Sequence, residues 1–469
     1  MCGIIGISSQ EEIADQIYNG LISLQHRGQD SAGIITYKTK LNIKKGKGLV
    51  QNIFNQKNIK RLKGNLGIGH TRYSTVGSGQ EADIQPFYYD FPIPIALAHN
   101  GNLTNFPALK EKYYIQSECD AEAILHILTK HLTNHKDSQE LFKHKFTKEE
   151  IFAAVDKTIK EIEGSYSIVC MIPNQGLLAF RDPHGIKPLV FGKKQENHIF
   201  ASETTTLDSL NYEFIDDVKP GEAIFISSEV HRNIINQKTH HPCVFEYIYF
   251  ARPDSVLDNT SVQQAREKLG HYLAEDCKDL DIDTIGEVPE AARPSAIGLA
   301  KAINKEYNSI LIRNQYIGRT FIQPNQKIRT KDVSLKLTPS KKIIENKNIL
   351  IVDDSIVRGN TSRKIIEKVR GCNPKKIYFC SSAPPLKYPC PYGIDMQTKG
   401  EFIATKKTIK EIKETIKADT LIYQDIESLY KATNKKTLCA ACFTGEYPTN
   451  VSPEALEKIE QERKESKSL

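Results

Sequence analysis

The chain has 469 residues and a formal net charge of +7, and 26% of its residues are charged. This length exceeds the size at which one hydrophobic core stops growing, so we expect two or three large domains, and so modest a charge excess gives little support for a nucleic-acid partner. The sequence has no apolar run near the roughly 20 residues that cross a bilayer and no signal peptide, so we expect a cytoplasmic protein without a membrane segment.

Cys2 precedes the first predicted strand, the apolar residues 3–7. Removal of Met1 would make Cys2 the N-terminal residue, with a thiol pKa of roughly 8.5 and an α-amino pKa of roughly 7.7 to 8.0. A nucleophile and its general base would then belong to one residue, and no separate histidine would be needed. The alternative interpretation is that Cys2 is an ordinary thiol near the start of the chain, without a catalytic role.

Short apolar runs with β-branched residues alternate with glycine-rich turns in the first half, which predicts buried strands of stacked sheets. After residues 3–7, the predicted strands are 32–35, 95–98, 167–171, 177–181, 189–192 and 223–227. Residues 121–132 have the apolar spacing of a helix, and Asp120 can cap its start. We place the end of this first domain at residue 235.

Helix and strand patterns alternate in the second half, which favours a parallel sheet. The clearest unit covers 348–382, where an apolar strand, a helix and a returning strand form a βαβ unit with its turn at 353–361. This second domain spans 236–450. The lysine- and glutamate-rich residues 451–469 are expected to form a solvated helix or a disordered tail.

The turn of the βαβ unit combines two carboxylates with the free backbone N–H groups of a helix start. Ligands of open parallel sheets bind beyond the carboxyl ends of strands, and a helix N-terminus suits a phosphate dianion. Asp353 and Asp354 suit sugar hydroxyls or a shared Mg²⁺ ion, so the turn predicts a sugar-phosphate site, with helix capping as the alternative. The other candidate residues are Ser355, Arg358, Gly359, Asn360, Thr361 and Ser362.

Residues 351–362 closely resemble the phosphoribosyl pyrophosphate (PRPP) loop of type I phosphoribosyltransferases, in the form found in amidophosphoribosyltransferases. Four other strings resemble the glutamine-hydrolysing half of that family, in one order along the chain: 2–6, 26–33, 69–75 and 99–105. The resemblance implies an α/β and α+β chain, in which an N-terminal-nucleophile (Ntn) αββα glutaminase sandwich is joined to a type I phosphoribosyltransferase domain with a parallel sheet.

The resemblance also implies a reaction and the residues of a glutamine site. Glutamine would be hydrolysed through a thioester at Cys2, and the ammonia would displace pyrophosphate from PRPP to give 5-phosphoribosylamine, the first committed step of purine biosynthesis. Asn100 and Gly101 would form the oxyanion hole. An arginine would bind the α-carboxylate of glutamine and an aspartate its α-ammonium. The glutamine-binding residues would be Arg72, Thr75 and Asp120.

At the PRPP site, Asp353 and Asp354 would face a Mg²⁺ ion that is bound with the pyrophosphate. Family members often carry a serine as a further metal contact where this chain has Ala291, which cannot coordinate, so the third protein contact is left open. Residues 313–324 resemble the flexible loop that folds over PRPP. The basic run 327–347 lies within and after that loop; a phosphorylated substrate and a solvated loop are both compatible with it.

Cys439 and Cys442 form a CxxC pair, a spacing that alone is compatible with zinc, a redox pair or no function. Some amidophosphoribosyltransferases hold a four-iron, four-sulfur (4Fe-4S) cluster, and the surroundings of four cysteines here resemble those ligands: Cys243, Cys390, Cys439 and Cys442. Such a cluster requires all-thiolate ligation. We therefore expect a structural 4Fe-4S cluster as a cofactor, in addition to Mg²⁺.

Two other functions stay open. A glucosamine-6-phosphate synthase shares the first glutaminase strings but lacks the PRPP turn, and a catalytically silent PRPP-sensing regulator would keep the transferase fold without turnover. The expected partners are the small molecules glutamine and PRPP, with purine nucleotides as feedback inhibitors and neither nucleic acid nor membrane. The resemblance also implies a homo-oligomer, either a dimer or a tetramer.

Overall fold

The computed structural model describes residues 1–73, 81–133, 141, 144–314, 337–396 and 398–468. The first half contains two antiparallel sheets and the second half a parallel sheet. Within the described ranges, no helix combines the length and the apolar character that crossing a membrane would require.

The described strands of the first sheet place the start of the chain at its centre. The strand Gly3–Ser8 pairs with Leu66–Arg72 on one side and Asn197–Ala201 on the other. Ile5 and Ile7 pack with the helix Ala14–Ser23, whereas Ile4 faces the second sheet. In spatial order, the strands are Glu213–Asp217, Val190–Lys194, Asn197–Ala201, Gly3–Ser8, Leu66–Arg72, Ser31–Tyr37 and Leu41–Lys47.

The second antiparallel sheet lies face to face with the first. Ala96, Ala98 and Val169 fill the space between the two sheets, and the helices Asp120–Thr133 and Lys148–Glu161 cover the outer face. In spatial order, its strands are Val230–Ile234, Glu222–Ile226, Gly176–Arg181, Gly164–Ile172, Ile95–Leu103 and Phe87–Tyr89. Helices on both outsides of two packed sheets confirm the αββα sandwich.

Shorter helices connect these strands. The α-helices of the first half that have not yet been named are Val50–Ile53, Gln56–Ile59, Phe106–Tyr113 and Thr204–Ser209. The 3-10 turns are Gln25–Arg27 and Glu81–Asp83.

The parallel sheet of the second half has the strand that precedes the Asp353–Asp354 turn in its middle. All of its pairs are parallel, and the apolar residues of this central strand are buried from both faces. In spatial order, the strands are Glu306–Tyr307, Thr284–Glu287, Asn348–Asp353, Lys376–Ser381 and Thr420–Tyr423. Two small hairpins accompany it: Val256–Leu257 with Thr260–Ser261, and Leu311–Arg313 with Leu337–Pro339.

Helices surround the parallel sheet, as expected for a βαβ architecture. They are Val262–Tyr272, Ala274–Cys277, Arg293–Ala302, Lys341–Ile344, Asn360–Arg370, Ile403–Lys406, Ile409–Ile416, Ile426–Thr433, Ala441–Thr444 and Pro453–Ser468. A π-helical turn, Glu246–Phe250, and a 3-10 turn, Lys399–Glu401, complete the second half.

Most predicted elements are present, and their ends differ by one to five residues. The predicted helix 121–132 is Asp120–Thr133, and the predicted βαβ unit has its turn at 354–359, shorter than the predicted 353–361. The last strand of the first half ends at Ile234. The division of the chain at residue 235 stays a prediction, and the tail forms the helix Pro453–Ser468.

Candidate functional site

Cys2 lies directly before the central strand of the first sheet, where two polar side chains fix its backbone. Its N–H donates to Asn100 Oδ1 at 3.0 Å, and its carbonyl accepts from Arg27 Nε at 2.9 Å. Met1 is buried beside it, and burial is the main reason that the pKa of the Met1 α-ammonium falls to about 6. The thiol is thus attached to backbone that is held from both sides.

Asn100 and Gly101 belong to the strand Ile95–Leu103 of the second sheet. Asn100 is fully buried, and among the described residues no group accepts a hydrogen bond from its Nδ2. A buried donor without an acceptor is rare unless a ligand completes it. A Cβ on Gly101 would lie 2.0 Å from the carbonyl oxygen of Ser165, so only glycine fits there. Asn100 thus lies beside Cys2, Gly101 follows it in the same strand, and their role as an oxyanion hole stays a prediction.

We expect Asn100→Asp to lower the kcat of glutamine hydrolysis by about 100-fold to 1,000-fold, with a smaller effect on KM. The aspartate keeps an acceptor for the Cys2 nitrogen but replaces the donor Nδ2 by a carboxylate oxygen, which repels an oxyanion. Glutamate release at several glutamine concentrations measures kcat and KM, and the thermal unfolding temperature shows whether the variant is folded. A variant with the wild-type kcat would contradict this role of Asn100.

Arg72 and Asp120 bring opposite charges into one buried place. Arg72 ends the strand Leu66–Arg72, donates to the carbonyl oxygen of Asp83 at 2.9 Å and lies 3.8 Å from its carboxylate. Asp120 begins its helix, accepts from Leu103 N–H at 2.9 Å and lies 3.2 Å from His99 Nδ1. The two groups match the carboxylate and ammonium of a free amino acid, and their binding roles stay predictions.

The pKa of Asp120 results from opposing effects. Burial raises it, but His99, the hydrogen bond from Leu103 N–H and the charge of Arg72 together lower it below its usual value. Asp120 therefore stays ionised, as binding of an ammonium group requires. The third predicted glutamine-binding residue, Thr75, lies outside the described residues.

The two carboxylates of the second candidate site stand at the carboxyl end of the strand Asn348–Asp353. Asp354 N–H donates to Asp353 Oδ1 at 3.0 Å, and Ser355 Oγ donates to Asp354 Oδ1 at 2.7 Å. Asp353 is buried, and burial followed by the charge of Asp354 raises its pKa well above the usual value. Two adjacent carboxylates, one buried and one half-buried, favour a cation or a hydroxyl donor as ligand.

Gly359 precedes the helix Asn360–Arg370 in the left-handed region, at φ 74°. This backbone conformation favours glycine, and a Cβ there would also lie 2.8 Å from the Cδ1 atom of Ile403, which would have to shift. Arg358 forms an ion pair with Glu401 at 2.6 Å. Of the candidate phosphate-binding residues at the helix start, Asn360 and Thr361 are exposed and Ser362 is buried. Most of the predicted loop 313–324 lies outside the described residues.

The four candidate cluster cysteines are buried in one apolar core of the second half, and none of them forms a disulfide. Cys243 and Cys439 pair in an isolated parallel bridge, and the carbonyl of Cys442 accepts from the N–H groups of Lys387 and Tyr388, close before Cys390. Burial raises the pKa of Cys439 and Cys442, and the nearby thiols raise it further. Three chain segments therefore bring these thiols together.

A buried ionic network joins the two halves beside Cys2. Arg27 is fully buried and forms two hydrogen bonds with Glu246, at 2.7 and 3.0 Å, and one with Glu203 at 2.5 Å. Glu203 also accepts from Ser255 Oγ at 2.7 Å. Because Glu246 opens the π-helical turn that follows Cys243, this network links the Cys2 backbone to the thiol-bearing core.

Comparisons with known proteins show the family of this chain. A family model described as a glutamine amidotransferase domain matches residues 70–209. The amidophosphoribosyltransferase of Pasteurella multocida (strain Pm70) is 42% identical over 99% of this chain and 96% of its own length. The chain belongs to the amidophosphoribosyltransferase family. The amidophosphoribosyltransferase of Escherichia coli (strain K12) is 44% identical over 92% of this chain and 88% of its own length.

A solved structure of the same family supports the fold. It is a glutamine PRPP amidotransferase from B. subtilis complexed with ADP and GMP, and it matches with a TM-score of 0.86. Its sequence is 35% identical, and the match covers 97% of this chain and 98% of that chain. The combination of an Ntn sandwich and a phosphoribosyltransferase domain, predicted from the motifs, is confirmed.

Sequence reasoning missed several residues of this amidophosphoribosyltransferase site. Asp83 contacts Arg72, and Glu203 and Glu246 hold Arg27, which lies within the string 26–33 but for which the sequence predicts no role. Arg27 is 176 residues from Glu203 and 219 residues from Glu246, so no spacing rule identifies these two partners. Lys187 had a weak signal, since it is a lone charge between Ile186 and the apolar residues that follow.

Proposed function

We propose that this chain hydrolyses glutamine at Cys2 and transfers the ammonia to PRPP, giving 5-phosphoribosylamine, glutamate and pyrophosphate, the first committed step of purine biosynthesis. The observation that supports this most directly is the environment of Cys2. Its backbone is held by Asn100 and Arg27, beside an amide donor that has no acceptor among the described residues, in a chain whose second half carries the Asp353–Asp354 turn.

The glutamine reaction follows from the chemistry of an N-terminal cysteine. After Met1 is removed, the free amine of Cys2 takes the thiol proton, and the thiolate attacks the side-chain amide carbon of glutamine. Asn100 Nδ2 and Gly101 N–H would donate to the oxygen that becomes negative. The C–N bond breaks, the amine returns its proton to the leaving ammonia, and water then hydrolyses the thioester to glutamate.

The transferase half would hold the sugar at the end of the parallel sheet. Asp353 and Asp354 would accept from ribose hydroxyls and stabilise positive charge at carbon 1 as the bond to pyrophosphate breaks. The N–H groups at the start of the helix Asn360–Arg370 suit the 5-phosphate. The two carboxylates fit a cation, and Mg²⁺ bound with the pyrophosphate would supply charge stabilisation for the leaving group.

Release of pyrophosphate from PRPP, measured with glutamine and separately with ammonium, tests this function. We expect both nitrogen sources to support it in the wild type. Asp354→Asn should lower the rate with either source by about 100-fold, because a lost carboxylate weakens stabilisation at carbon 1. Asp279→Asn, at an exposed aspartate, is the matched control.

The same assay separates the two alternatives. A catalytically silent regulator would release no pyrophosphate with either nitrogen source, and a glucosamine-6-phosphate synthase would use fructose 6-phosphate in place of PRPP. Relatives that match nearly the whole chain are amidophosphoribosyltransferases, which supports the PRPP-dependent reaction. An enzyme active with ammonium but not with glutamine would indicate a defective first half.

The proposal includes a 4Fe-4S cluster on Cys243, Cys390, Cys439 and Cys442. Four buried, unoxidised thiols from three segments fit a cofactor that takes only thiolates. No group of three metal-binding side chains in the described part of the chain is arranged for a metal ion. The resemblance of these four cysteines to the cluster ligands of the family favours a cluster over zinc.

The cofactor is tested on protein purified without oxygen. We expect broad visible absorption and about four iron and four sulfide ions per chain. The absorption, the iron and the sulfide should all be lost after Cys442→Ser. Cys372→Ser is the control, since that buried thiol lies in a different core. One zinc ion per chain without sulfide would contradict the cluster and show that the cysteines bind zinc instead.

Purine nucleotides and a second copy of the chain are further proposed partners. The B. subtilis relative was solved with ADP and GMP, which supports nucleotide feedback on this chain. Pyrophosphate release at increasing GMP and ADP, together with the mass of the particle by light scattering, tests both proposals.

A further inference from the structure

Lys187 is a buried cation that the proposed reaction does not use. It lies between the strands Gly176–Arg181 and Val190–Lys194, and its side chain is completely shielded from solvent. Its carbonyl accepts from Arg181 Nε at 2.6 Å and from Ser167 Oγ at 3.0 Å, which fixes the backbone. The ammonium group, at the end of this buried side chain, lies in the interior.

The ammonium of Lys187 lacks a carboxylate partner within the described residues. Its Nζ donates to Met1 Sδ at 2.8 Å, and a thioether is a weak, uncharged acceptor. Glu246 interacts electrostatically with this ammonium, but its carboxylate already forms two hydrogen bonds with Arg27. A buried ammonium is costly unless an anion compensates it, so another anion is needed.

The groups that can supply this anion are the cluster cysteines. Cys243 N–H donates to the carbonyl of Ile186 at 3.0 Å, which brings Cys243 beside the residue that precedes Lys187. Ile186, Met1 and the four thiols belong to the same apolar core. Because the Lys187 ammonium contacts Met1 Sδ and Met1 packs in this core, the ammonium lies at the edge of the core that holds the thiols.

Removal of Met1 strengthens this argument. The proposed glutamine reaction needs a free Cys2 amine, so the mature enzyme would lack the thioether that accepts from Lys187. The ammonium would then face the thiol-bearing core without its present acceptor. Four thiolates around an iron–sulfur core carry net negative charge in a dry environment, which is what a buried cation stabilises.

We propose that Lys187 is the charge-compensating residue of the four-cysteine site: the glutaminase half supplies a fixed cation that stabilises the thiolate ligands contributed by the second half. This role rests on the proposed cluster. It makes Lys187 a positioning residue for the cofactor, and it predicts that a change in the first half alters the cofactor of the second.

The test compares Lys187→Met and Lys187→Arg with the wild type after reconstitution with ferrous iron and sulfide without oxygen. The methionine side chain is apolar and of similar length but carries no charge, whereas arginine keeps the positive charge.

We expect Lys187→Met to weaken iron retention about 10-fold to 100-fold, the usual effect of losing a group that supports metal ligands. We also expect it to lower the reduction potential of the cluster. Lys187→Arg should retain most of the cluster. Lys45→Met, at a half-buried lysine away from the thiols, is the control.

Each outcome decides the question. Equal iron retention and potential in Lys187→Met and wild type would overturn the role of Lys187 alone. A wild type that takes up no iron would overturn the cluster and this role together. A merely structural lysine would lower the thermal unfolding temperature without changing the potential. If Lys187→Met fails to fold, Lys187→Gln replaces it, and the same two readouts apply.

Discussion

Cys2→Ala is expected to abolish glutamine-dependent pyrophosphate release while ammonium-dependent release continues. The nucleophile is lost, so no thioester forms, and removal of a covalent nucleophile costs at least about 1,000-fold. The transferase site lies in the other half and receives ammonia from solution without Cys2. The measurement is the ratio of the two rates at saturating PRPP.

Cys119→Ala is the matched control for this experiment. Cys119 is a buried thiol beside the candidate glutamine site, and burial raises its pKa to about 12, so it is not a nucleophile at neutral pH. This variant should keep most of the glutamine-dependent rate. Equal loss in Cys119→Ala and Cys2→Ala would show that packing around the site, and not covalent chemistry, explains the effect.

The covalent role of Cys2 also requires processing of the chain. Met1 is buried against Lys187 and Cys2 follows it, so the amine that acts as base is present only after Met1 is removed. An intact-mass measurement with a glutamine-analogue alkylator reports both the removal of Met1 and a single added group. A chain that retains Met1 and hydrolyses glutamine at full rate would contradict the mechanism.

The spacing of apolar residues predicted the helices and strands whose formation depends on residues close together in the chain. The apolar run 348–352 is buried on both faces as a central parallel strand, and the residues Ile124, Leu125 and Leu128 are the buried side of their helix. The Asp353–Asp354 turn lies at the carboxyl end of that strand, as the βαβ pattern indicated. Periodicity alone does not identify a family. The resemblance of the motifs to a known family indicated that family and the order of the two halves of the chain.

Contacts between the halves could not be predicted from the sequence. Arg27 and Glu246 are 219 residues apart, and Asn102 Nδ2 donates to the carbonyl of Pro391 at 2.9 Å, 289 residues away. Neither pair has a periodic or compositional signal, because tertiary packing alone determines which surfaces meet. The cluster cysteines were identified by resemblance to the family, whereas the cation beside them became apparent only from the structure.

Arg27→Met is expected to destabilise the protein by about 3–5 kcal/mol at pH 7, because it leaves Glu203 and Glu246 buried without their cation. Urea unfolding followed by circular dichroism measures the change. Arg370→Met removes a half-exposed ion pair with Asp419 and should cost no more than about 1 kcal/mol. Unfolding of both variants at the same urea concentration would contradict the importance of the buried network.

The same variant has a pH dependence of defined sign. Burial raises the pKa of Glu203, but interactions with His26 and Arg27 lower it by more than burial raises it. The pKa of Glu203 in the folded protein therefore lies well below the usual value. Such a group stabilises the fold above the pKa of the unfolded chain, roughly 4.3, and this contribution is lost as the pH falls further. The difference between wild type and Arg27→Met should therefore be largest at neutral pH and shrink below about pH 4. A difference that grows on acidification would show that the stabilisation by Arg27 comes from packing of its side chain and not from its charge.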